Sequence, residues 1–306
     1  SMLDIEILRK NPETVRKALR DRRLEEGILD EFLALDARWR KATQAADEAR
    51  AELRRASEAR DVAAAKGIKE RVKTLGTQLR SLGTERDAAI VKFPNIQDAS
   101  VPVGDDNRAN EVLRMWGEPR TDAVEEYLSF ATRMDLIDVE RAGKVSGSRF
   151  GYLKREAVLL EFALVRFAFD RARAHGFIPV IPPVLVKPEM LMRMGKGKFM
   201  ADHDAFCIGE DGLYLVGSAE HTIGPMHADE IFAEQDLPRR YIGFSTAFRR
   251  ESGSYGKDTR GILRVHQFDK AELFSITKPE DSSREHEFLV AFEEELMQAI
   301  GLPYRV

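Results

Sequence analysis

FRRESGSYGKDTRGILRVHQFDKAELF, residues 248–274, packs arginines, glutamates and glycines into one segment of a chain that is otherwise mildly acidic. Strand-like sequence lies on both sides of SGSYGKDTRG: RRYIGFSTAF before it and GILRVHQFDKAELFSI after it. The segment therefore reads as two antiparallel strands joined by a long glycine-rich loop. Side-chain period then assigns faces. Arg249 and Glu251 share one; on the return strand Arg264, His266, Phe268, Lys270 and Glu272 share one face, and Leu263, Val265, Ala271 and Leu273 the other. One side can cover a core, while the other carries ions and an aromatic ring. An exposed sheet face is also polar, but that explains poorly why two arginines, two glutamates and a phenylalanine keep fixed parity beside a glycine-rich loop. A nucleotide site would use each part: guanidinium forks for phosphate, a ring for a base, a carboxylate for an amine or a metal ion. Neither a G-x-x-x-x-G-K-[ST] loop nor a G-x-G-x-x-G turn after a strand occurs.

Outside this segment, 306 residues suffice for two structural units. A composition 43% hydrophobic and 33% charged describes a globular protein. No apolar run reaches the roughly 18 residues needed to cross a bilayer, and the start lacks a secretory layout, so a cytoplasmic location is expected. The single cysteine, Cys207, excludes an internal disulfide and a cysteine-rich zinc set; it reads as a small buried hydrophobe. His175, His203, His221, His227 and His286 show no metal-ligand spacing and read as structural or surface residues, while His266, on the site face, reads as a support for the loop. The methionine-rich stretch 190–200 reads as adaptable packing.

Residues Phe32, Leu35, Trp39, Ala42, Ala46, Ala49, Leu53 and Ala56 recur at alternating spacings of 4 and 3, a heptad seam. After a break expected at 61–67, a second series runs Ile68, Val72, Leu75, Leu79, Leu82, Arg86, Ala89, Phe93, with Arg86 its one polar interruption. Two such helices should fold back as an antiparallel hairpin, since each alone leaves its seam in water. The first would be about 50 Å long. Residues 36–92 hold 14 Lys and Arg against 9 Asp and Glu, net +5, which leaves −9 for the rest of a chain at −4. A basic rod suits a polyanion, though a solvated helix surface would also be charged. PNIQDASVPVGDDNRANE, residues 94–111, has no periodicity and reads as a linker. The expected domains are 1–105, a helical arm, and 106–306, the remainder. Within the latter, KREAVLLEFALVRFAFDRARAHGF reads as an amphipathic helix ended by Gly176, and FIPVIPPVLV as a proline-broken edge strand.

The charged hairpin resembles motif 2 of class II aminoacyl-tRNA synthetases, and in particular that of the bacterial-type seryl-tRNA synthetase family. The likeness continues through MLDIEILRKNPETVRKALRDR, the helical arm, IDVERAGKVSGSRFGYL and the motif 1-like HGFIPVIPPVLV, in the family's order. It implies an α+β chain: an N-terminal antiparallel helical hairpin, or coiled-coil arm, and a class II antiparallel sheet flanked by helices. The implied activity is that of a serine–tRNA ligase, which uses ATP to form seryl-adenylate and loads the 3′ end of tRNA(Ser). By position, Arg249 would hold the α-phosphate and act in catalysis, Glu251 the adenine side, and Arg264 the terminal phosphates. Val265 would touch the nucleotide through its backbone and Phe268 would stack on the base. The family's T-A-E or T-S-E appears as Ser218, Ala219 and Glu220, which with Arg249 and Glu272 would bind L-serine. Implied partners are tRNA(Ser) on the arm and a second copy of the chain at motif 1, near Pro182 and Pro183; no membrane is implied. ATP and Mg2+ are the expected cofactors, although the family's magnesium carboxylate is not identifiable and no metal ligand is assigned. The chain stops at GLPYRV, where the family continues into further strands and motif 3, so a chain incomplete at the C-terminus is expected. An alternative stands beside the ligase: a non-catalytic tRNA-binding or dimerising fragment, or a synthetase paralogue, without full activity for lack of motif 3.

Overall fold

Two periods, 3.6 and 2, organise the computed structural model, which describes residues 3–252 and 261–306. Most of the glycine-rich loop, 253–260, lies outside the described residues. The chain divides into two compact units, residues 1–111 and 112–306.

The first unit is helical: α1 (Ile5–Lys10), α2 (Pro12–Asp21), α3 (Gly27–Glu58) and α4 (Val62–Ile90). Asp4 caps α1 by accepting from the Glu6 N–H, and Pro12 opens α2 where its missing N–H costs nothing. α3 and α4, of 32 and 29 residues, form the expected hairpin. Ala42, Ala46 and Ala49 of α3 and Leu82 of α4 are buried along the seam. Leu8, Val15, Leu19, Leu29, Phe32 and Phe93 close a core at the root.

Two expectations are corrected here. The break at 61–67 is a short turn: the Asp61 side chain accepts from the Ala64 N–H at 3.0 Å, and the alanines that follow are strong helix formers, so α4 starts at Val62. Arg86 does not interrupt the seam. Its guanidinium lies 3.8 Å over the Trp39 ring and 3.7 Å from Asp36, a carboxylate only 1% exposed. Arg9 holds the same carboxylate with a fork, Nε to Oδ2 at 2.9 Å and Nη2 to Oδ1 at 2.8 Å, and Arg40 adds a third contact at 3.1 Å. Burial alone would raise the Asp36 pKa; the arginines, Arg9 first, pull it below the usual carboxylate range.

The second unit begins with β1 (Met115–Trp116), α5 (Tyr127–Arg133), β2 (Ile137–Asp138), α6 (Val139–Ser146) and β3 (Tyr152–Leu153). Then come α7 (Glu156–Ala174), β4 (Ile178–Val180), β5 (Leu185–Val186), α8 (Pro188–Arg193) and α9 (Gly197–Ala201). The remainder is β6 (Cys207–Ile208), β7 (Leu213–Leu215), α10 (Glu220–Ile223), β8 (Arg239–Phe248), β9 (Gln267–Ile276), α11 (Ser282–Ala299) and β10 (Tyr304–Arg305). The central sheet has the order β4-β8-β9, with β8 and β9 antiparallel and β4 parallel to β8 on the edge. α7 ends with Gly176 at φ 82°, a left-handed residue that turns the chain into β4.

The sheet is covered on both faces. Ile242 and Leu273 pack with Ala172, Phe177 and Phe292 from α7, its end and α11. On the opposite face Tyr241 and Phe274 pack with Ala219 and Ile223. Gly243 makes that approach possible: a Cβ there would overlap Ile223 Cδ1. Among the described residues no helix is long and apolar enough to cross a membrane.

Candidate active site

The return strand is shorter than the sequence pattern implies. β9 starts at Gln267, because the chain before it is held elsewhere: the His266 N–H donates to the Arg149 carbonyl at 2.9 Å, and the Ile262 N–H to the Tyr127 hydroxyl at 3.3 Å. Alternation therefore fails before 267. Leu263 is 69% exposed while Val265 is buried, and Ala271 is exposed as well, so of the supposed apolar face Leu273 alone joins the core behind the sheet. Glu251 has φ 54°, which ends the extended run of the outgoing strand.

Within the ladder the ionic face stands. Phe268 pairs with Ala247, Lys270 with Ser245 and Glu272 with Gly243. Arg249, just past β8, donates its backbone N–H to the His266 carbonyl at 3.0 Å and its Nε to the Gly217 carbonyl at 3.0 Å. Its guanidinium sits 5.3 Å over the Phe268 ring. Ser218, one residue past Gly217, donates its hydroxyl to Glu272 Oε2, and the Glu220 N–H donates to the same oxygen at 2.9 Å. Lys270 completes the group, with Nζ 2.6 Å from Glu272 Oε1 and 2.9 Å from Ser218 Oγ. Arg249, Ser218, Glu220, Phe268 and Glu272 are thus brought together on one face. Ala219 is fully buried beneath them against Ile223 and Tyr241. Arg264 and Glu251 pair with each other at 3.0 Å.

Electrostatics follow from these contacts. Burial would raise the Glu272 carboxyl, but the hydrogen bonds from Lys270 and Ser218, the Lys270 charge and the Glu220 N–H together hold it below the usual range. It is ionised at neutral pH. His221 is buried beside Phe199, and its Nδ1 accepts from the Gly217 N–H at 3.1 Å. Burial first, with Lys196 and Arg249 adding, drops its pKa to about 4, outweighing the opposite pull of Glu220 and Glu272, so the ring is neutral with its proton on Nε2.

Sequence reasoning missed three participants. The side-chain period puts Lys270 on the ionic face but carries no sign of a role. Lys196 comes from the methionine-rich stretch, which packs as expected through Leu191, Met190 and Met200, yet also pairs with Glu220 at 2.6 Å. His221 looked bland because nothing in its spacing signals a site. His266 supports Arg249: its Nδ1 donates to the Arg249 carbonyl at 3.0 Å between Phe150 and Phe206. Cys207 is a correction, being exposed on β6, a two-residue edge strand paired with β7 only.

Residues 207–306 match the family model for the tRNA synthetase class II core domain (G, H, P, S and T), which sets the class of this fold and site. Residues 2–97 match the seryl-tRNA synthetase N-terminal domain. The serine–tRNA ligase of Beutenbergia cavernae is 42% identical over 323 aligned positions, covering all of this chain and 75% of that protein. The seryl-tRNA synthetase of Pyrococcus horikoshii, solved with ATP, superposes with a TM-score of 0.86 at 36% identity over 99% of this chain and 76% of its own. The cytoplasmic serine–tRNA ligase of Naegleria fowleri, solved with AMP, gives 0.85 at 28% identity over 100% of this chain and 74% of its own. The chain belongs to the seryl-tRNA synthetase family.

Proposed function

We propose that the chain activates L-serine with ATP and transfers the seryl group to the 3′ end of tRNA(Ser). The observation that carries this reading is the convergence of Arg249, Ser218 and Glu272 on the turn 217–220. In the first step a serine carboxylate oxygen attacks the α-phosphorus; the bond to the bridging oxygen breaks and pyrophosphate leaves. In the second, a terminal ribose hydroxyl of the tRNA attacks the seryl carbonyl and AMP departs. The substrates supply nucleophile and leaving group, so positioning and charge neutralisation are the protein's work.

Arg249 takes the α-phosphate and Phe268 the adenine, with Glu251 on the adenine side and the Val265 backbone against the nucleotide. Arg264 takes the terminal phosphates, exchanging its Glu251 partner for them. Ser218, Ala219, Glu220 and Glu272 form the serine pocket. Alanine is disfavoured because it leaves the last acceptor position of the part-buried Glu272 carboxylate unfilled. Among the described residues no three His, Cys, Asp or Glu side chains are placed to hold a metal ion, so Mg2+ would arrive on the ATP phosphates, which supply most of its oxygen ligands. The first 105 residues form the tRNA-binding arm and 106–306 the chemical unit, working in the cytoplasm as a homodimer. The dimer reading is supported by apolar side chains left in the open on α7 and beyond β4, among them Leu159, Phe162 and Ile181.

Calorimetric titration of a non-hydrolysable seryl-adenylate analogue into the chain tests this. Binding that weakens by roughly 10- to 100-fold in Arg249→Ala is the expected result, the loss of one charged hydrogen-bonding anchor. Absence of binding in both would sink it. Serine-dependent pyrophosphate exchange then separates turnover from binding alone.

A further inference from the structure

Lys270 is a cation of the site that contacts two groups proposed for the amino acid, Ser218 and Glu272, at once. Its ammonium touches the Ser218 hydroxyl oxygen and Glu272 Oε1, while Ser218 Oγ and the Glu220 N–H both donate to Oε2. A carboxylate offers roughly four lone-pair positions. Three are filled by these donors, two on Oε2 and one on Oε1, so a single acceptor position remains, on the oxygen that already faces a cation. The surrounding charges are committed elsewhere: Arg249 to the Gly217 carbonyl, Lys196 to the Glu220 carboxylate, and His221 is neutral. The register Ser245↔Lys270 and Gly243↔Glu272 fixes the lysine and the carboxylate as next-but-one neighbours on one face of the sheet.

We propose that Lys270 is a positioning and specificity-determining residue: it neutralises and fixes Glu272 so that the remaining acceptor position takes a neutral hydroxyl rather than a second ammonium. The proposal rests on the serine-activation reading above. A ligand ammonium on the same oxygen would face the lysine ammonium across one shared charge, where like charges oppose each other. A hydroxyl meets no such opposition. Lys270 thereby turns a generic anionic spot into a reader of the serine side chain, and it does so through Glu272 and Ser218 without itself touching the substrate.

The test uses the whole chain and its Lys270→Met, Lys270→Gln and Lys270→Arg variants. The Glu272 side-chain carboxyl is followed by carbon NMR against pH in the free protein, its signal identified by its loss in Glu272→Gln. In parallel, seryl- and 2,3-diaminopropionyl-adenylate analogues, which carry a hydroxyl and an ammonium at the same position, are titrated calorimetrically. With the lysine charge removed, the Glu272 midpoint should rise by about one to three pH units, and the preference for the seryl over the diaminopropionyl analogue should fall roughly 10- to 100-fold. Lys270→Arg should restore both. Circular dichroism confirms folding, and Lys270→Gln stands in if Lys270→Met unfolds. A Glu272 midpoint unmoved in both neutral variants, or an unchanged seryl preference, overturns the proposal. Failure of the unaltered chain to bind the seryl analogue would strike the activation reading instead, and the titration of the free carboxyl would still decide for or against the hold of Lys270 on Glu272.

Discussion

A histidine that accepts a backbone N–H inside a hydrophobic wall cannot be charged without breaking that bond, and His221 is in this position. Its pKa is depressed to about 4 from the ordinary value near 6.5. The neutral fold therefore gains stability that is present above about 6.5 and lost as pH falls through about 4. Thermal melts at steps from pH 7 to pH 4 should show this loss, and His221→Gln should lessen it; an identical pH profile would contradict the assignment. Gly243 is the second residue on which the site depends. Ile223 is fully buried and cannot yield, so Gly243→Ala should cost about 1–3 kcal/mol in urea unfolding. Sequence reading reached Arg249, Ser218 and Glu272 through their likeness to a family. It could not reach His221, which arrives on a helix whose approach to the sheet depends on a missing Cβ at Gly243, or Lys196, which joins only through its ion pair with Glu220. That is a property of packing, not of spacing.

Between elements, the most telling contact is one carboxyl against another: Glu161 of α7 and Asp269 of β9, on the sheet face away from the site. The hydrogen bond to Asp269, then burial, then the Asp269 charge raise Glu161 to about 7, and Asp269 also accepts from the Thr246 hydroxyl at 2.6 Å. The sign is opposite to that of His221. The fold binds a proton the unfolded chain would release, so this contribution is present below the ordinary carboxyl value, near 4.3, and is lost as pH rises through about 7. Glu161→Gln should hold its melting temperature between pH 5 and pH 8 where the parent chain declines. At the arm, Asp61→Ala should cost about 1 kcal/mol by removing the cap on α4, read as helicity lost on heating. Helices were legible because the 4–3 spacing persists through both; the boundary at 61–67 was misread because a cap acts through one side chain and leaves no period. β9 was overextended for a related reason: alternation continues through 261–266, but Arg149 and Tyr127, more than a hundred residues away in sequence, claim the backbone there.

For the molecule as a whole, the excess of positive charge on residues 36–92 sets how the chain should respond to salt. Affinity for tRNA(Ser) should fall by roughly tenfold or more between 50 and 200 mM salt, with a shallower slope once basic residues of the arm are neutralised; filter binding across a salt series measures both. The two-unit organisation was legible from composition, since a stretch without period separates a heptad pattern from a mixed one, whereas the sheet order was not, because pairing of β4 with β8 joins segments about sixty residues apart. Alanines interlock poorly, so the seam of Ala42, Ala46 and Ala49 would tolerate a slip of one helix past the other by a whole heptad. Asp36, gripped by Arg9 and approached by Arg86, is an index mark that opposes the slip together with the capped turn at Asp61 and the core around Phe32 and Phe93, and exchanging it for leucine should leave both helices intact while broadening the distance between spin labels placed on α3 and α4.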